Sequence, residues 1–177
     1  MIWTQIGGDG VRSSWTGHSR VNALWAFNNK LYAGLGTGAN DAEVWEYNGN
    51  YWVKIGGDGV RSSWTSINYT NVLSLQDFDN KLYAGLGGID TWARVWEYNT
   101  STETWTEIGG NGLNNSWNGN EQSVDSLGVY GGELYAGVGH DTTATGGQLW
   151  KYNGTTWTQV DDLTAQYIFS MLVGRIN

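Results

Sequence analysis

Proton transfer, nucleophilic attack and metal binding all need His, Cys, Asp or Glu in suitable company. The chain has two histidines, His18 and His140, and no cysteine. The histidines occupy non-equivalent loop positions without a second His or Cys at ligand spacing, so no metal site is expected. The lack of cysteine excludes a thiolate nucleophile and a disulfide framework. Seventeen acids remain, and a glycosidase needs two carboxyl groups in unlike environments. Most of these acids recur in register, as Glu46 does with Glu97 and Asp9 with Asp58. Nothing singles out an asymmetric pair, so no catalytic residue is assigned and the chain is expected not to be an enzyme. "GLGTG" at 34–38 is not followed by a helical pattern and reads as a strand entering a loop, not a phosphate cradle. The acidic calcium loop is missing as well, and no cofactor is expected.

Asp9 and Asp58 belong to a phrase that explains their recurrence. "IGGDGVRSSWT" stands at 6–16 and again at 55–65, and a worn copy, "IGGNGLNNSWN", stands at 108–118. As architecture, Gly-Gly-Asp-Gly makes a sharp turn in which Asp9, Asp58 and Asn111 bond neighbouring amides. Trp15, Trp64 and Trp117 then plug between adjacent sheets. As a ligand loop, the same tryptophans stack on sugar faces while Asp9, Asp58 and Asn111 take hydroxyls.

The elements around the phrase repeat too. "VNALWAFNNKLYAGLG", "VLSLQDFDNKLYAGLG" and "VDSLGVYGGELYAGVG" match, as do "EVWEYNGNYWVKIGG", "RVWEYNTSTETWTEIGG" and "QLWKYNGTTWTQV". A period of roughly 50 residues belongs to propellers and related arrays. In the second unit the strand signals are a (72–78), b (81–87), c (94–98) and d (104–108). Asn-Asn, Asp-Asn or Gly-Gly joins a to b, a two-residue hairpin in which both residues take positive φ. No window carries a helical period. The chain reads as one all-β repeat domain, 1–177. It comprises a d-type strand at 1–6, blades at 21–56, 72–109 and 124–160, and a terminal a-type strand at 167–173. Twelve Trp and ten Tyr suit half-buried sheets, and 27 Gly without any Pro suit turns built from Gly and Asn.

The four-strand unit resembles β-propeller blades of the kelch-like or tachylectin-like kind, over essentially the whole chain. "IGGDGVRSSW" is similar to the Ile-Gly…Gly-Trp phrase near the sugar pockets of tachylectin-like lectins. It also resembles the sialidase Asp-box, with one residue more between Asp and Trp and Gly in place of the leading Ser. The resemblance implies an antiparallel propeller-like array and sugar contacts at the repeated phrase.

Three blades are fewer than closed propellers hold, and open flanks attract other chains. Completion by oligomerisation is therefore expected, through Ile2, Trp3 and Ile6 at one end and Tyr167, Ile168, Phe169, Met171, Leu172 and Val173 at the other. A net charge of −8 with nine scattered basic residues argues against nucleic acid. No apolar run is long enough for a membrane helix, and no signal peptide is visible ahead of the first repeat. The sequons at Asn68, Asn99, Asn114 and Asn153 fit an extracellular or cell-surface setting. Two functional expectations follow. One is a non-enzymatic structural protein that self-associates into an oligomer or filament, and the alternative is a lectin with shallow sites at the joints. A glycoside hydrolase ranks third.

Overall fold

The computed structural model describes residues 2–65, 68–88, 93–118, 120–139, 146–162 and 168. Among the described residues, twelve strands form three antiparallel four-stranded blades. The first holds β1 (Val21–Phe27), β2 (Lys30–Leu35), β3 (Glu43–Tyr47) and β4 (Trp52–Gly56). The second holds β5 (Tyr69–Phe78), β6 (Lys81–Gly88), β7 (Arg94–Asn99) and β8 (Thr104–Gly109). The third holds β9 (Ser123–Tyr130), β10 (Glu133–Gly139), β11 (Gln148–Tyr152) and β12 (Trp157–Asp162). Within each blade the strands pair in chain order, and among the described residues one β-bridge, Gly87 to Ser123, joins the sheet of the second blade to that of the third. This is a β-propeller fold. The helical content of the described residues is two 3-10 turns, Val11–Ser13 and Val60–Ser62.

The hairpins form as their residues require. Asn28 and Asn29, Asp79 and Asn80, and Gly131 and Gly132 all have positive φ. That geometry matches the twist of the flanking strands, and Asn, Asp and Gly tolerate it. At the same end of the blades an ion pair recurs between strands b and c: Lys30 with Glu46 at 2.8 Å, Lys81 with Glu97 at 2.8 Å and Glu133 with Lys151 at 3.0 Å. The third copy exchanges the charges and keeps the contact.

At the other end the repeated phrase carries the chain from strand d to the next strand a. Gly57, Asp58 and Gly59 all have positive φ, as do their counterparts in the other two copies. Ser63 Oγ accepts from Gly57 N at 2.8 Å, and Ser116 does the same for Gly110. Trp64 is buried; its indole N–H donates to Ala42 O of the first blade at 2.8 Å while its ring meets Trp96 and Trp105 of the second. Trp117 repeats this, donating to Ala93 O and packing on Trp150 and Trp157. Trp105 and Trp157 bridge blades in turn by donating to Ile55 O and Ile108 O. A Cβ on Gly56 would sit 3.1 Å from both Trp105 and Trp64, tighter than ordinary contact, so the close approach of the two rings favours glycine here.

The opening segment departs from expectation. Residues 2–6 form no strand and pair with no strand among the described residues. Ile2 and Trp3 are each 93% exposed. Ile6 still keeps its place in the repeat, since its carbonyl accepts from Trp52 Nε1 at 2.7 Å, as Ile55 accepts from Trp105. At the far end, Ile168 stands where Val124 stands one unit earlier. Its carbonyl accepts from Ser126 Oγ at 2.6 Å, as Val124 O accepts from Ser74 Oγ at 3.0 Å. Tyr167, Phe169, Met171, Leu172 and Val173 lie outside the described residues, as does His140.

Candidate functional site

The joint end of the second blade gathers the start of β5, the start of β7 and the end of β8. The ladders enforce this: Tyr69 pairs with Gly88, and Val95 with Gly109. Here Tyr69, Arg94, Glu107, Gly110, Asn111, Gly112 and Leu113 line an open pocket of about 640 Å³. Arg94 is buried, with Nε 3.0 Å from Glu107 Oε1 and Nη1 donating to Ala93 O at 2.8 Å. Burial raises the Glu107 carboxyl above the usual carboxylate range, and the Arg94 charge and hydrogen bond pull it back. Burial and the Glu107 charge push the Tyr69 phenol up to about 12, with Arg94 opposing. Leu113, at 40% exposure, supplies an apolar wall.

The corresponding place in the first blade carries other chemistry on the same backbone. By repeat position His18 replaces Tyr69, Glu43 replaces Arg94, Lys54 replaces Glu107 and Asp58 replaces Asn111. Lys54 Nζ reaches Glu43 Oε1 at 2.5 Å and Asp58 Oδ2 at 2.6 Å, strapping the joint turn to the start of β3. Glu43 also meets His18 Nε2 at 3.1 Å and accepts from Trp45 Nε1 at 2.7 Å. Burial opposes the Lys54 ammonium, but its bonds to Asp58 and Glu43 outweigh that and raise its pKa. In the third blade the set becomes Glu121 and Gln148, joined by a 3.1 Å hydrogen bond.

Of the six residues expected to hold a ligand, Asn111 lines the pocket. Asp9, Asp58 and Asn111 share φ of 53° in the joint turn, and Asp58 is engaged by Lys54. Trp15, Trp64 and Trp117 are buried between or against sheets, so their rings offer no open face to a sugar. Tyr69, Arg94 and Glu107, which also line the pocket, are not among those six. The signal that finds them is their change of type between units whose flanking "VWEYN" stays constant. Among the sequons, Asn99 and Asn153 sit in c–d hairpins, where each side chain accepts from two following backbone amides. Asn114 donates to Ile108 O, and Asn68 precedes β5.

Two further features break the symmetry. A second open pocket, about 580 Å³, lies at the hairpin end of the first blade between residues 26–31, Tyr47 and Gly49. Its Lys30 is engaged by Glu46, and Arg12 covers the Tyr47 ring. Asp125 stands where Asn22 and Leu73 stand in the other units. Burial pushes it up to about 6, against a lowering hydrogen bond from Ser123, and Oδ2 has no partner among the described residues. No group of three or more His, Cys, Asp or Glu among the described residues could hold a metal ion, and no helix is long and apolar enough to cross a membrane.

No family model matches the chain, and no curated protein sequence matches it. Among solved structures it is similar to Bacteroides ovatus "Xyloglucan PUL GH43B", at 12% identity and a TM-score of 0.47 over 77% of this chain and 27% of that one. It is similar to "YjhT", at 14% and 0.49 over 80% and 51%. It is also similar to the Bombyx mori GH32 β-fructofuranosidase BmSUC1, at 12% and 0.43 over 77% and 35%. The chain thus spans about half or less of the structures it matches, and what it shares with them is the propeller fold. Two expectations are corrected by this comparison: a non-enzymatic structural protein, and the absence of enzymatic activity. Two of these similar structures carry carbohydrate names, xyloglucan and β-fructofuranosidase.

Proposed function

We propose that the chain acts on carbohydrate, and that the pocket at the joint end of the second blade is where the sugar sits. The observation that carries this reading is the composition of the pocket. A carboxylate, a guanidinium, a phenol and an amide converge beside one exposed leucine. A pyranose presents hydroxyls around its rim and C–H groups on its faces, and a small set of fixed polar groups with one apolar wall suits it. Glu107 is the pocket's proton-handling group, its proton affinity raised by burial and checked by Arg94. Hydrolysis of the usual kind pairs such a group with a second carboxyl. Glu107 is the one acid among the described residues lining this pocket.

Titration calorimetry against a panel of oligosaccharides, with chromatography of the same mixtures for cleavage products, tests the reading. Binding or turnover that falls with Arg94→Ala supports it. A panel that shows neither binding nor cleavage refutes it.

A further inference from the structure

The pocket holds one cation and one anion, and they are not equally available to a ligand. Arg94 is turned inward: Nε faces Glu107 Oε1 at 3.0 Å and Nη1 faces Ala93 O at 2.8 Å, and the residue is buried. A guanidinium engaged in this way acts as a brace, because drawing it toward an incoming anion would strand Glu107 and a backbone carbonyl. Glu107 is engaged through Oε1, and among the described residues Oε2 takes no partner. The side chain of Asn111 is exposed and likewise takes no partner among them. With Tyr69 buried, the groups on offer are a carboxylate oxygen, which accepts, and an amide, which both donates and accepts. Leu113 stands beside them as the apolar wall.

We infer that this pocket selects neutral, hydroxyl-rich sugars and rejects sugars bearing a carboxylate, with Glu107 as the residue that sets the choice. Vicinal hydroxyls donate to Glu107 Oε2 and exchange hydrogen bonds with Asn111, while the C–H face of the ring rests on Leu113. A uronic or sialic acid would bring its negative charge against Glu107 while the balancing Arg94 is held behind that carboxylate. The net charge of −8 adds repulsion of the same sign at longer range. Arg94 is a positioning residue here, fixing Glu107 rather than meeting the ligand.

This inference rests on the carbohydrate reading, and one experiment separates their failures. The intact chain and its Glu107→Gln variant are titrated with a neutral oligosaccharide and with a counterpart of equal length bearing one uronate. The wild type is expected to bind the neutral sugar at least tenfold more tightly, roughly the effect of one charge-assisted hydrogen bond. Glu107→Gln is expected to weaken neutral binding and to strengthen uronate binding, because the substitution removes the repelling charge and leaves the Arg94 cation without a counter-charge. A wild type that prefers the uronate, or a variant with an unchanged ratio, overturns the selectivity and leaves the carbohydrate reading standing. No binding of either sugar by a folded wild type overturns both. Thermal unfolding of the variant confirms that a changed ratio is read from a folded protein.

Discussion

The joint ends of the first and second blades share a backbone, a turn and an eleven-residue phrase, yet they differ in what they expose. In the first blade Lys54 ties Asp58 to Glu43, and His18 closes on the same carboxylate. In the second the lysine has become Glu107 and the aspartate Asn111, so the leg of the strap that reaches the turn is lost. The Glu43–Lys54 pair is kept with its charges exchanged, as Arg94 with Glu107 across β7 and β8, and the pocket stays open. The hairpin ends likewise keep an ion pair where both residues trade places; what the second joint end loses is the third contact, Lys54 with Asp58. Between these two blades the ion pairs that cross strands persist at both ends, and the contact that ties down the joint turn does not.

The comparison fails first if the shared scaffold is removed. Trp64→Ala takes away a buried indole, its bond to Ala42 O and its contacts with Trp96 and Trp105. It should cost about 3–5 kcal/mol, measured by denaturant unfolding. Grafting the first blade's set onto the second comes next. Tyr69→His, Arg94→Glu, Glu107→Lys and Asn111→Asp together should install the strap and weaken saccharide binding roughly 100-fold, the sum expected for two lost polar contacts. The fold already accommodates this set one blade earlier, so the melting temperature should move by a few degrees at most.

The third blade sharpens the contrast through Asp125. An acid whose folded pKa lies above its unfolded value binds its proton more tightly when folded, so it lowers stability as pH rises. The loss begins near the ordinary value of 3.8 and is complete above about 6. Asp125→Asn should therefore stabilise the protein by about 1–2 kcal/mol at pH 7, a gain that vanishes below about pH 4 in unfolding curves. The smallest effect is expected at the turn itself. Ser63→Ala leaves the buried Gly57 N–H without its acceptor and should cost about 1 kcal/mol.

Much of the fold is legible from turn residues and period alone. Asn-Asn, Asp-Asn and Gly-Gly state their φ, and the b and c runs declare strands whose observed limits differ by a residue or so. Residues 2–6 were not legible, because a strand exists only beside a partner and "IWTQI" does not say whether one is there. Strand β5 begins at Tyr69 rather than 72, since its first residues are ordered by pairing with Gly87 and Gly88 across bulges. The site was hidden for a related reason. Repeats draw attention to what recurs, so Trp64 and Asp58 looked functional and proved to be buried or strapped. Tyr69, Arg94 and Glu107 are functional candidates because they do not recur, and their meeting depends on three strand ends that only the folded blade brings together.

A crystal of the intact chain soaked in a neutral oligosaccharide tests the account most directly. The account predicts a sugar ring on Leu113 with hydroxyls within hydrogen-bond distance of Glu107 Oε2 and Asn111, and no ring at Glu43 and Lys54. A sugar lodged at the first blade's strap, or in the hairpin-end pocket beside Tyr47, with the Arg94–Glu107 pocket empty, would contradict it.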